Sequence, residues 1–240
     1  MTLLQPLVAV LCLAALSGLG FAAQEAKQAT SLVPAPRTDE WAIKREAECI
    51  KRAKESAPVD VVFVGDSITQ AWEDGGKDAW NRHIAPLGAL NLGNSGDRTE
   101  NVLYRLEQAP LTRLNAKHVV LLIGTNNLGH GTSNAQETLD GVKAVATKLF
   151  TQCPAATIHI LEIFPRGERF NNMRGDICQI NQALRAWVSG QKSARLMTHA
   201  IGDQFMSPDG SIPKDIMPDF LHLTPKGYEM WASAVAPLLK

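Results

Sequence analysis

Four short stretches of the sequence carry residues whose types and order suit acyl transfer: Gly65-Asp66-Ser67-Ile68, Gly93-Asn94-Ser95-Gly96-Asp97-Arg98, Gly124-Thr125-Asn126-Asn127 and Asp219-Phe220-Leu221-His222. A serine hydroxyl becomes a useful nucleophile when a base accepts its proton. Histidine serves near neutral pH, and a carboxylate fixes its tautomer and stabilises the imidazolium. Donors must also meet the oxyanion of the tetrahedral intermediate. Ser67 can supply the hydroxyl, His222 the base and Asp219 the carboxylate, the last two being close enough on one loop to pair. The Ser67 amide near a helix start, the Gly96 amide without a side chain in its way, and the Asn126 carboxamide are candidate oxyanion donors. Asp66, Trp72, Asn127 and His130 flank these residues and are candidates for lining the substrate pocket.

Each stretch has an ordinary alternative. Gly-Asp-Ser is commonly a turn, Asp-x-x-His a solvated loop, and Gly-Thr-Asn-Asn a left-handed turn. The glycine block could cradle a phosphate, but it lacks both the P-loop pattern and the G-x-G-x-x-G spacing. The specific signal is the combination, with each part at a strand end or before a helix.

The surrounding pattern supplies those strands and helices. Apolar, β-branched runs at 59–64, 90–92, 118–123, 157–163 and 195–201 read as strands, most of them stopping at glycine. Continuous apolar strands suit a parallel sheet covered on both faces. Helical patterns occupy 38–56, 98–108, 134–150, 171–189 and the segment opening at Thr224-Pro225, with Thr38 and Thr224 as expected N-caps and Gly190 as an expected stop. Five strands with interleaved helices predict an α/β fold, a three-layer α/β/α sandwich whose site lies at the carboxyl ends of its strands.

Composition narrows the function. With 240 residues, the chain is long enough for one sizeable core. Lys+Arg and Asp+Glu balance at 24 each, which gives no field toward nucleic acid or an anionic membrane. Residues 1–23 form an apolar run with small residues behind it and read as a secretory signal peptide; the competing reading is an uncleaved membrane anchor. Cleavage predicts a secreted or periplasmic protein without stable membrane contact. Residues 24–37 read as a linker or loosely held arm, and residues 38–240 as the domain proper. Outside the leader are three cysteines, Cys49, Cys153 and Cys178, which allow either one bridge or three buried thiols.

The four stretches, in this order, resemble the signature blocks of SGNH (GDSL-like) hydrolases over roughly residues 58–239. The resemblance implies Ser67 as nucleophile, Asp219 and His222 as its partners, and an oxyanion hole from Ser67, Gly96 and Asn126. It also implies a flavodoxin-like five-stranded parallel sheet. Residues 91–99, 102–106, 123–127 and 221–228 are most similar to the catalytic subunits of platelet-activating-factor acetylhydrolases and their bacterial relatives. That likeness points to acetyl and other short-acyl esters, with carbohydrate esters ahead of phospholipids, and to no cofactor. Two other classes compete: a non-catalytic binding module on the same fold, and a metal-dependent hydrolase using Asp66, Asp219 and His222. His83, His118, His159 and His199 read as structural or surface residues. Arg166, Arg169 and Arg174 read as a solvated loop that could greet an anionic substrate.

Overall fold

The computed structural model describes residues 28–240. The expected signal peptide and residues 24–27 lie outside them. Five strands, β1 (Val61–Gly65), β2 (Ala89–Gly93), β3 (His118–Leu122), β4 (Thr157–Leu161) and β5 (Leu196–His199), form one parallel sheet in the order β2-β1-β3-β4-β5. The chain winds outward from β1 to β2 and then returns to add β3 on the other side. The direction of winding therefore reverses beside β1, and a crevice is expected at its carboxyl end. Ser67 lies there.

Alternate strand residues serve opposite faces. Val62, Val64, Val119, Leu121, Ile158 and Ile160 pack into one core with α1 (Glu40–Glu55), α4 (Thr99–Gln108), α6 (Ala135–Gln152) and α7 (Asn172–Gly190). Val61, Phe63, Val120, Leu122 and Leu161 face the other core, covered by α2 (Ser67–Gln70), α3 (Lys77–Ala79) and α8 (Pro225–Val235). Burial on both faces explains why the strands are apolar throughout rather than alternating. A further short helix, α5 (Thr125–Gly129), follows β3.

The second core is aromatic, and it is what brings distant parts of the chain together. Trp72, just past α2, packs at 4.7 Å between ring centroids against both Tyr228 and Trp231 of α8. Tyr228 also donates its hydroxyl to the Ile68 carbonyl at 2.7 Å. The helix that follows His222 is thus fastened directly to the turn that carries Ser67. On the same sheet face a diagonal row of imidazoles crosses three strands. His118 Nδ1 and His159 Nε2 are 3.0 Å apart, as are His159 Nδ1 and His199 Nε2. Burial, with the two flanking rings, pushes His159 down to about 4, so it stays neutral and structural.

Several expectations are corrected in detail. Asp39, not Thr38, stands at the N-cap of α1, while α7 ends at Gly190 with Gln191 as its C-cap. The expected cap at Thr224 forms, its hydroxyl accepting from the Gly227 amide, and Asn134 caps α6 by accepting from the Glu137 amide. Residues 28–37 are not loosely held. Ser31 donates to the Glu137 carbonyl at 2.8 Å, Thr99 donates to the Ser31 carbonyl at 2.9 Å, and the Ala35 amide donates to the Glu100 carbonyl at 3.1 Å. These contacts satisfy backbone groups that a free arm would leave to water. The three cysteines are free thiols, with Cys49 and Cys153 buried and Cys178 exposed. Among the described residues no helix is long and apolar enough to cross a membrane.

Candidate active site

Ser67 is the first residue of α2, reached directly from β1 through Asp66. Asp66 caps this one-turn helix, its Oδ1 accepting from the Ile68 amide at 3.0 Å. The turn lifts the Ser67 hydroxyl to the rim of the sheet, where Oγ lies 2.9 Å from His222 Nε2. His222 Nδ1 lies 2.6 Å from Asp219 Oδ2. Residues separated by 155 positions in sequence therefore meet in one hydrogen-bonded line.

The loop holding the last two is wound tightly. Phe220 adopts φ 59, the left-handed region, and this turns the chain back over the carboxylate. Asp219 Oδ1 then accepts from the Leu221 amide at 3.1 Å and the His222 amide at 2.8 Å. Partial burial pushes the Asp219 carboxyl up, but the bonds from the His222 ring and the two amides outweigh it and hold it below the usual carboxylate range. An ionised Asp219 can only accept, so Nδ1 carries the ring proton and the Nε2 lone pair faces Ser67. The His222 and Asp219 side chains retain 42% and 53% of their exposure, so the site opens directly to solvent.

The oxyanion candidates sit at the carboxyl ends of three adjacent strands. Ser67 follows β1, Gly96 follows β2 and Asn126 follows β3. Gly96 has φ 74, and a side chain there would run into the Arg37 guanidinium. Neither the Ser67 nor the Gly96 amide has an acceptor among the described residues. Asn126 is almost buried, and its Nδ2 donates to the Asp97 carbonyl at 3.0 Å, which uses one of its two protons and leaves the other. Such a set can polarise a serine hydroxyl and receive a developing oxyanion.

Three pocket candidates do not line the site. Trp72 is fully buried in the aromatic core. Asn127 is fully buried, taking the Thr99 amide on Oδ1 and donating to Thr99 Oγ1 and Glu100 Oε2, each at 3.1 Å. It fixes the start of α4. Asp66 is also fully buried. His130 remains exposed, with Nδ1 3.4 Å from Arg98 Nη1. Arg174 leaves the solvated cluster proposed for it: its guanidinium is buried and donates to the carbonyls of Arg166, Gly167 and Gly210. A mostly apolar cavity of about 470 Å³, lined by Ile163, Pro165, Phe170, Ile177 and Met206 among others, lies beside α7 and contains none of Ser67, Asp219 and His222.

Sequence reasoning missed the charged frame behind the glycine block. Asp97 is wholly buried, and its Oδ2 accepts from Arg105 Nε and Nη2 at 3.0 and 2.8 Å. Its Oδ1 accepts from Arg37 at 3.1 Å. Arg105 also donates to the Leu92 carbonyl at 2.9 Å, tying the end of β2 to α4. The only sequence signal was an arginine on the apolar side of a helix, with nothing to name its partner.

Asp66 yields a pH prediction. Its Oδ2 is buried without a partner, and burial, joined by the nearby Asp97 charge, raises the carboxyl to about 7 against the Ile68 amide bond. A carboxyl with a raised folded-state pKa favours the fold while protonated. That contribution is complete below the unfolded value near 4 and is lost as pH rises through about 7. Asp66→Asn keeps the capping oxygen and removes the titration. The variant should gain about 2 kcal/mol relative to the parent between pH 5 and pH 7, read from urea unfolding at each pH. A difference that stays flat with pH would mean that Asp66 ionises as freely in the fold as outside it.

A doubly wound parallel sheet with a Ser–His–Asp line at its carboxyl edge is an arrangement suited to serine hydrolase chemistry. The sequence profile of the GDSL-like lipase/acylhydrolase family matches residues 63–230, and the chain belongs to that family. It is 36% identical over 187 residues to the human platelet-activating factor acetylhydrolase IB subunit alpha1, covering 78% of each chain. It is also similar in fold to a member of the lipolytic G-D-S-L family from Veillonella parvula (TM-score 0.60, 15% identity, 75% of this chain and 97% of that one). A carbohydrate acetylesterase from Sinorhizobium meliloti is a further structural neighbour (TM-score 0.54, 18% identity, 75% and 98%).

Proposed function

We propose that the protein is a serine esterase that removes short acyl groups, acetyl foremost, from carbohydrate esters. The observation that carries this reading is the line Ser67 Oγ, His222 Nε2, His222 Nδ1, Asp219 Oδ2, with gaps of 2.9 and 2.6 Å. Ser67 Oγ attacks the ester carbonyl while His222 Nε2 takes its proton and Asp219 stabilises the imidazolium. The carbonyl oxygen gains negative charge between the Ser67 amide, the Gly96 amide and the free Asn126 N–H. His222 returns the proton to the departing alcohol. Water, deprotonated by His222, then releases the acid from the acyl-serine. The acetyl preference draws on the acetylhydrolase relatives, and the carbohydrate preference on the acetylesterase neighbour. The leading apolar segment, as a signal peptide, would deliver such an enzyme to the secreted or periplasmic space.

A second reading, acetylated phospholipid as substrate, is favoured by the identity to the human acetylhydrolase subunit. The test is a rate comparison. Hydrolysis of p-nitrophenyl acetate should exceed that of the butyrate and octanoate by about tenfold or more per step, the loss expected when one or more methylenes no longer fit. Acetylated xylo-oligosaccharides should be deacetylated faster than an acetylated phospholipid. Equal rates on all chain lengths would remove the acetyl assignment, and a phospholipid preference would install the second reading. A protein that a fluorophosphonate leaves unlabelled would be a binding module rather than an esterase.

A further inference from the structure

Arg166 is the group beside the site that the reaction does not use. It follows β4, and Nη1 donates to the Thr125 carbonyl at 3.1 Å and to Thr125 Oγ1 at 3.2 Å. Thr125 adjoins Asn126. On its other side the next residue, Gly167, donates its amide at 2.8 Å to the carbonyl of Phe220, inside the Asp219–His222 loop. Arg166 therefore stands between an oxyanion candidate and the base. Its guanidinium feels the carboxylates of Asp66 and Asp219, yet no carboxylate among the described residues comes within ion-pair distance.

The position is built rather than incidental. The Nη1 end of the guanidinium comes close to Gly129, where a Cβ would fall 2.3 Å from Nη1, so a side chain at 129 would displace it. With Nη1 committed to Thr125, the three N–H groups on Nε and Nη2 have no acceptor among the described residues. Those two nitrogens share one edge of the guanidinium, which is the edge that grips a carboxylate or phosphate with two parallel bonds. Neither nitrogen is among the buried unpartnered atoms of the described residues, so this edge of the half-buried guanidinium faces solvent, where an anion can reach it. Of the three arginines that bear on the exposed His130 ring, Arg98 is paired with Glu100 and Arg37 with Asp39 and Asp97, so Arg166 is the one without an ion-pair partner among the described residues.

We propose that Arg166 binds an anionic group, a carboxylate or phosphate, on the alcohol part of the ester, so that the preferred substrates are acetyl esters of acidic alcohols. This rests on the acetylesterase reading, since a two-carbon acyl group has no room for an anion of its own. Acidic sugars and phosphate-bearing alcohols share the required chemistry.

The test pairs 4-acetoxybenzoate with its neutral methyl ester. The parent enzyme should favour the anion in kcat/KM, chiefly through KM. Arg166→Gln should lower the anionic-to-neutral ratio by about tenfold or more, the usual worth of a charged hydrogen bond. Arg166→Lys, which keeps the charge but not the fork, should fall between. An unchanged ratio in Arg166→Gln overturns the proposal, because a purely structural tether to Thr125 would slow both esters alike. Calorimetry with 4-hydroxybenzoate supplies an arm independent of turnover: binding to the parent should weaken by the same factor in Arg166→Gln, and equal binding to both overturns the proposal. If inorganic phosphate binds the parent more tightly than 4-hydroxybenzoate, the site takes free anions and the alcohol-borne assignment is wrong. If neither ester is hydrolysed, the esterase reading fails while the calorimetric arm still decides the role of Arg166.

Discussion

Ser67→Ala is expected to lower kcat on p-nitrophenyl acetate by about 10⁴-fold or more while leaving KM within a few-fold of the parent. The loss is of this size because no neighbouring group can replace Oγ at the point where His222 Nε2 aims, 2.9 Å away. Without it no acyl-serine forms, and only the oxyanion donors remain to assist direct attack by water. His222→Ala should cost nearly as much, and the double variant no more than the worse single one, since the two groups act as one device. Asp219→Asn should also be severe, because an amide can donate toward Nδ1 and invite the wrong ring tautomer. The check is steady-state kinetics alongside fluorophosphonate labelling, which should vanish in Ser67→Ala. A variant that retained a tenth of the parental rate would leave Ser67 outside the chemistry, however good its geometry.

How much of this could be read in advance follows from what kind of information each residue carries. The strands were legible because a sheet buried on both faces leaves uninterrupted apolar runs, and β1, β2 and β3 each run into a glycine at 65, 93 and 124. The convergence of Ser67 with His222 was legible as order along the chain, but its cause was not. That cause is α8 clamped on α2 through Trp72, Tyr228 and Trp231, and side-chain packing across 155 positions has no local signature. Pocket residues guessed by adjacency failed for a geometrical reason. Neighbours on a helical turn point about 100° apart, so Asn126 and Asn127 on α5 cannot both face the site, and Asp66, the N-cap of α2, turns its side chain inward to the Ile68 amide while Ser67 faces the rim. The arm at 28–37 looked free because its proline-rich, polar sequence has no periodicity. Its partners are scattered backbone and side-chain groups of α1, α4, α6 and the glycine block, and sequence pattern does not report those pairings.

The charged frame behind the glycine block leads to the largest stability effect. Arg105→Met is expected to destabilise the fold by about 3–5 kcal/mol, measured as a lower urea midpoint at unchanged slope. The methionine fills much of the volume, so the cost is electrostatic. Asp97, wholly buried, would keep only Arg37 to oppose a burial that already raises its carboxyl even with both guanidiniums in place. The carbonyl of Leu92 would also lose its donor. Because a carboxyl raised in the fold favours the folded state only while protonated, the penalty in Arg105→Met should deepen as pH rises from 5 to 8. Asp97→Asn in the same chain should return part of the loss, giving a coupling well outside additivity. The frame also reaches the chemistry: the Asp97 carbonyl holds Asn126 Nδ2, and the Gly96 amide is one residue away. The folded fraction of Arg105→Met should therefore show a lower kcat with KM less affected. A loss under about 1 kcal/mol that is flat in pH and additive with Asp97→Asn would mean that Arg37 and solvent suffice to hold the Asp97 charge, and that the loop after β2 keeps its shape without α4 behind it.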